Sequence, residues 1–217
     1  MFGTFINALA AAEVSERAVN QYSRTFGDLK ANAVRRRNLR LYLEELHALG
    51  PRMLLIGEAV SHRGGRLTGI AFCSETVMLG GVELENGQRI LGADRGYRKA
   101  TSGPRLSTEA SATMVWGTIR DLEPLPLLWN AFPFHPFHPG RPESNRVPTS
   151  AELAAGAPFI ERLIRLFGIT RVVAVGNQAS ASLEKLAVEH DRVRHPSMGG
   201  KVQFVAGMAR LSQYREA

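Results

Sequence analysis

Apolar and polar positions along this chain follow two rhythms, and the rhythms take turns. The first 49 residues carry the helical one. MFGTFINALAAAEVSERAV reads as an amphipathic helix, with Glu13 and Glu16 at helical spacing behind the apolar start. In VRRRNLRLYLEELHAL the side chains of Leu39, Tyr42, Leu43 and Leu46 fall on one face, and Gly50-Pro51 ends the helix. The Arg35, Arg36, Arg37 run reads as a solvated face, with phosphate contact as the alternative. Later helices are expected through TEASATMVWGTIRDL, with Ser107 as its cap, through AELAAGAPFIERLIRLFG, with Thr149 or Ser150 before it and Gly168 after it, and through QASASLEKLAVEH.

Between the helices lie short, continuously apolar runs: MLLIG (53–57), LPLLWNA (125–131), RVVAVG (171–176) and a short last strand within VRHPS. VELENGQRIL (82–91) alternates around Asn86-Gly87 and reads as a hairpin, and residues 92–106 read as a mobile Gly-, Arg- and Lys-rich loop. Strands that are apolar throughout, alternating with helices, indicate a parallel sheet covered on both faces. The expected fold is a three-layer α/β/α sandwich with a central, mainly parallel sheet of about four strands. It is expected to be a single domain over 1–217, with residues 1–50 a helical segment and 51–217 the α/β core.

Composition narrows the class. Hydrophobic residues make up 44% of the 217, which suits a folded domain rather than a disordered chain. No apolar run reaches membrane-spanning length, and the start lacks the basic region of a signal peptide, so the chain is expected in the cytoplasm. Cys73 is the one cysteine, which excludes an intrachain disulfide and a four-cysteine metal or iron–sulfur site. The net charge of +7 is compatible with a polyanionic partner without requiring one.

In open parallel sheets, sites form from the loops that leave the carboxyl ends of the strands. Here those loops are GEAVSHRGGRLTGIAF (57–72), WNAFPFHP (129–136), GNQAS (176–180) and HPSMGG (195–200). Each has a plain structural reading. Glu58 can cap a helix or pair with Arg66, Asn130 can close a turn on its own backbone, and Phe72 can be a core aromatic. GNQAS resembles a phosphate turn but has a lone glycine. His135 and His138 flank Pro136 without an evident third ligand, so no metal site is expected.

Taken in order, the four loops resemble the motifs of the uracil-DNA glycosylase superfamily, over roughly residues 52–205. Gly57-Glu58-Ala59 is similar to the start of the family's water-activating motif, and Phe72 takes the base-stacking position. Asn130 matches the asparagine that reads the uracil edge. His195 matches the histidine that stabilises the departing base, and Ser197-Met198 the segment that enters the minor groove. Three positions depart from the pattern. Val60 replaces the usual proline, Ala59 stands where some branches carry a catalytic Asp or Asn, and Ser61 replaces a tyrosine that excludes thymine. The Gly-Glu-Ala-Pro-Gly branch usually carries an iron–sulfur cluster, so with Cys73 alone this chain resembles a cluster-free, divergent bacterial-type member.

The resemblance implies a monomeric, cofactor-free DNA repair glycosylase that hydrolyses the bond between sugar and a flipped, deaminated base, with uracil first. Glu58 and His195 would be catalytic. Gly57, Ala59, Ser61, Phe72 and Asn130 would line the base pocket. Ser197 would bond a phosphate, Met198 would wedge into the duplex, and Gly199 with Gly200 would let the backbone approach DNA. The alternatives are a glycosylase for hypoxanthine or mismatched thymine, a DNA-binding homologue with weak turnover, and a hydrolase of free nucleosides.

Overall fold

The computed structural model describes residues 2–213. Along the chain run α1 (Phe2–Ala11), β1 (Ala18–Val19), α2 (Leu29–Leu49), β2 (Met53–Ala59), the short helical turns α3 (Gly65–Thr68) and α4 (Glu75–Gly80), and β3 (Val82–Glu83) with β4 (Arg89–Ile90). Then come α5 (Ala110–Ile119), β5 (Leu127–Phe132), β6 (His135–Pro136), α6 (Ser150–Phe167), β7 (Arg171–Val175), α7 (Asn177–Lys185), β8 (Asp191–Val193) and α8 (Lys201–Gln213). The central sheet has four strands in the order β5-β2-β7-β8, all parallel, inside a three-layer α/β/α sandwich as expected. Leu54, Leu55, Ile56, Leu127, Leu128, Val173 and Ala174 are fully buried.

Because β2 comes first and its neighbours are added on either side of it, the chain changes direction there, where open α/β sheets form their crevice. Register does the rest: Gly57 on β2 is the direct partner of Asn130 on β5, although 73 positions separate them (130 − 57). The outer edge of β5 is satisfied locally, with Leu128 N–H donating to the buried Tyr42 hydroxyl at 2.9 Å.

Helix ends follow their sequence signals. Asp28 caps α2 through Ala31 N–H, and Gly50 closes it in the left-handed region at φ 64°. Leu39, Tyr42, Leu43 and Leu46 are all buried. Thr149 and Glu152 form a capping box on α6, and Gly168 ends that helix. The 82–91 hairpin pairs Val82 with Ile90 around Asn86-Gly87.

Other expectations need correction. Residues 12–28 are not helical. The Asn20 side chain donates to Leu9 O and Ala12 O, taking the carbonyls that a continuing helix would use, and Ala18–Val19 pairs with His135–Pro136. Ser107 does not cap α5: its hydroxyl donates to Arg63 O and its N–H to Glu75, and Glu109 holds the cap position without a side-chain bond. The first part of the 92–106 loop is held, with Tyr97 buried and bonded to Glu45 and the Arg98 backbone bonded to Asn38. Arg35 and Arg36 are half-buried clamps on the carbonyls of Leu67, Tyr22 and Ser23, so of the three arginines Arg37 alone is exposed. The sequence reading stopped short of α8, whose signal is the buried series Phe204, Met208, Leu211.

One charge cluster ties the N-terminal segment to the site loops. Arg146 donates to both oxygens of Glu152, at 2.7 and 2.6 Å, and to the carbonyls of Phe137 and Arg17. Glu152 also accepts from Ser15 and from Thr149 N–H. Burial by itself raises the Glu152 carboxyl, but these bonds win and bring it from 4.5 to about 2. A carboxyl depressed in the folded state contributes stability above its ordinary value, and that contribution is lost as pH falls through the folded one. We expect the stability advantage of the protein over Glu152→Gln, measured by urea unfolding, to be constant above about pH 5. Between there and pH 2 it should shrink by about 3 kcal/mol. An advantage that does not change with pH would show that the cluster is not closed in solution.

Candidate active site

The carboxyl ends of the parallel strands open into a cavity of about 460 Å³. Its walls include Gly57, Glu58, Ala59, Ser61, Phe72, Asn130 and His195, seven of the residues picked from sequence. Glu109, Asn145, Arg146, Asn177, Gln178 and Arg194 line it as well. Ser197, Met198 and Gly199 stand outside the lining, on the loop after β8.

Gly57 is the floor. A Cβ at that position would lie 2.6 Å from Asn130 Oδ1 and 2.6 Å from Phe72 Cζ, so ring and amide close over bare backbone. Phe72 sits in the left-handed region at φ 52°, an unfavourable conformation for an aromatic residue. It is held there by Trp116 Nε1–H, which donates to Phe72 O at 3.0 Å. Asn130 is 5% exposed, and its amide makes no hydrogen bond among the described residues. The amide lines the cavity, so its donors and acceptor are open to whatever enters. The turn reading of Asn130 does not hold, because the residue lies within β5.

Glu58 Oε1 is buried without a hydrogen-bond partner among the described residues. Burial holds its carboxyl above the usual carboxylate range, against a smaller opposing pull from Lys185. Neither the helix cap nor the Arg66 pair of the plain structural reading is present among the described residues.

His195 is placed by close backbone approach. Gly176, at φ 93°, would bring a Cβ to 2.9 Å from His195 Cβ, so only glycine lets the β8 loop close against the end of β7. Ser197 N–H donates to His195 Nδ1 at 3.2 Å, and Ser197 Oγ lies 2.7 Å from the same nitrogen. A nitrogen that accepts a backbone N–H carries no proton, so the proton is on Nε2. Burial, and then the Arg194 charge, push the imidazole below its ordinary value and keep it neutral at pH 7. Ser197 thus touches the imidazole through both its N–H and its hydroxyl, and the backbone N–H selects the tautomer. Met198 is 91% exposed at φ 52°, with Gly199 following at φ 74°.

His135 is fully buried, and its ring nitrogens face Val60 O at 2.9 Å and Pro142 O at 3.0 Å, so it joins two site loops rather than serving as a ligand beside His138. Among the described residues no group of three His, Cys, Asp or Glu side chains could hold a metal ion. No helix there is long and apolar enough to cross a membrane.

The model of the uracil DNA glycosylase superfamily matches residues 44–210, and the chain belongs to that superfamily. It is accordingly a DNA glycosylase, a hydrolase. Among solved structures it is similar to wild-type SMUG2 from Pedobacter heparinus, at 16% identity and a TM-score of 0.61, over 96% of this chain and 95% of that one. No curated protein matches it in sequence.

Gly57→Ala tests this geometry. The added methyl cannot fit without moving Phe72 or Asn130, at a cost of about 1–3 kcal/mol for overpacking. We expect a lower melting temperature together with loss of base release. Unchanged stability and turnover would mean that ring and amide do not meet over the glycine.

Proposed function

We propose that this chain removes uracil from DNA by hydrolysing its N-glycosidic bond after the nucleotide is flipped out of the duplex. The observation that carries the reading is the Asn130 amide, open to the cavity and without a hydrogen bond among the described residues, beside the Phe72 ring. A carboxamide offers one donor and one acceptor side by side, which complements O4 and N3–H of uracil and mismatches the reversed pattern of cytosine. The Phe72 ring supplies a stacking face, worth about 1–3 kcal/mol per base.

Chemistry follows from the charges that develop. As the bond between C1′ and N1 breaks, its electron pair leaves with the base and spreads onto O2. The neutral His195 donates from Nε2 to that oxygen, an interaction that strengthens only as charge builds. Glu58 stabilises the cationic sugar, orients the attacking water and takes its proton as the new C1′–O bond forms. No step needs a metal ion. Outside the cavity, Met198 replaces the stacking that the flipped base gives up.

A second reading, release of a larger deaminated base such as hypoxanthine, is favoured by the small Ser61 side chain and the roomy cavity. One panel separates the two: oligonucleotides carrying uracil, hypoxanthine, xanthine or mismatched thymine, single- and double-stranded, incubated in EDTA and then cleaved with alkali. Uracil strands should break and the others stay largely intact. Activity lost in EDTA and restored by metal would overturn the mechanism.

Three substitutions divide the roles. Asn130→Ala should remove most uracil release while the fold persists. His195→Ala should lower the single-turnover rate about 10²–10³-fold with little change in DNA binding. Met198→Ala should slow release from duplex far more than from single strands, because extrusion costs a few kcal/mol in a duplex and least in a single strand. Equal losses on both substrates would move Met198 from the duplex to the pocket.

A further inference from the structure

The mechanism above leaves one carboxylate of the cavity without a part. Glu109 stands at the start of α5 and lines the pocket. It arrives there because Ser107 is clamped on both sides, to Arg63 O at 2.7 Å and, through its N–H, to Glu75 at 2.9 Å. A Cβ built on Gly64 would collide with Glu109 Oε2 and lie 2.8 Å from Ser61 Oγ. The glycine thus admits the carboxylate into the wall beside the Ser61 hydroxyl. Among the described residues Glu109 makes no side-chain hydrogen bond and no ion pair, and it does not cap its own helix. Glu109 is partly buried, so its carboxylate keeps solvent contact while facing the cavity.

What that wall would face rests on the uracil reading. A pyrimidine with its sugar bond toward Glu58 gives O2 to His195, N3–H and O4 to Asn130, and one face to Phe72. Its C5–C6 edge is left to the rest of the polar wall, which also holds Asn145, Asn177, Gln178 and Arg194; Ser61 and Glu109, which meet over Gly64, form the part of it that carries the one carboxylate without a role. Ser61 is too small to close that side by bulk. A methyl group on C5 would instead strip water from the Glu109 carboxylate and return no hydrogen bond. A bare C5–H leaves the carboxylate its water.

We propose that Glu109 is the specificity-determining residue that rejects thymine, by desolvation of its charge rather than by filling the space. Glu109→Met keeps the length of the side chain and removes the charge, and Glu109→Gln keeps a polar end that still resists the methyl. Single-turnover release is measured from matched duplexes with uracil or thymine opposite guanine, with melting temperatures recorded for each protein. The uracil-to-thymine rate ratio should fall by about tenfold or more in Glu109→Met, through a rise in thymine release, and by less in Glu109→Gln. A ratio within threefold of the unsubstituted protein in both variants, with uracil release measurable, overturns the proposal alone. A ratio that falls only because uracil release collapses in a folded variant also overturns it, since Glu109 would then serve the chemistry. Absence of uracil release by the unsubstituted protein overturns the uracil reading and this proposal with it.

Discussion

Gly57 has no side chain, and the site depends on that absence. The parallel pairing of β2 with β5 sets Asn130 directly across from it, and Phe72 folds back over the same point. Two groups that differ in sequence, chemistry and secondary structure therefore meet within contact distance of one backbone atom. Any Cβ there would separate them. The strain at Phe72, with φ at 52°, is held by a hydrogen bond from Trp116 and is offset by the surrounding core.

Around this point the structure is unevenly firm. The Arg146–Glu152 pair, with side-chain exposures of 12% and 7%, binds the start of α6 to residues 15–17 and to the Phe137 carbonyl. His135 joins the Val60 and Pro142 carbonyls behind the Glu58 loop. The N-terminal segment thus belongs to the scaffold that positions the pocket. By contrast, the loop bearing Met198 points outward, carrying an exposed apolar side chain on two positive-φ residues. An exposed hydrophobic tip beside the cavity is the arrangement that the proposed extrusion of one base would use.

The polar groups of the cavity are arranged by what they lack. Glu58 Oε1 and the Asn130 amide have no partners among the described residues, and Glu109 has none for its carboxylate. His195 differs, because its Nδ1 is taken by Ser197 and its useful proton is thereby assigned to Nε2. For the buried Glu58 oxygen, unused hydrogen-bonding capacity is a stability cost that a folded protein carries where a ligand recovers it.

Much of this was determined by sequence alone. Continuously apolar runs at 53–57 and 171–176 can only be buried on two faces, so a covered parallel sheet followed, and with it the edge where loops converge. Glu58, Asn130 and His195 lie at or near strand ends, yet they and Phe72, in the loop well past β2, stood out only through the resemblance of the four loops, in order, to a known superfamily. What tertiary structure decided were matters of long-range approach. Asn20 stopped a helix that residues 12–28 would otherwise continue. Ser107 was drawn from a cap into a tether, and Glu109 thereby entered the pocket from a segment whose own pattern says only helix. Ser197 turned toward His195 rather than outward. Short polar side chains have several hydrogen-bond partners of similar energy within reach, and only the folded neighbourhood selects one, whereas an apolar run has a single way to leave water.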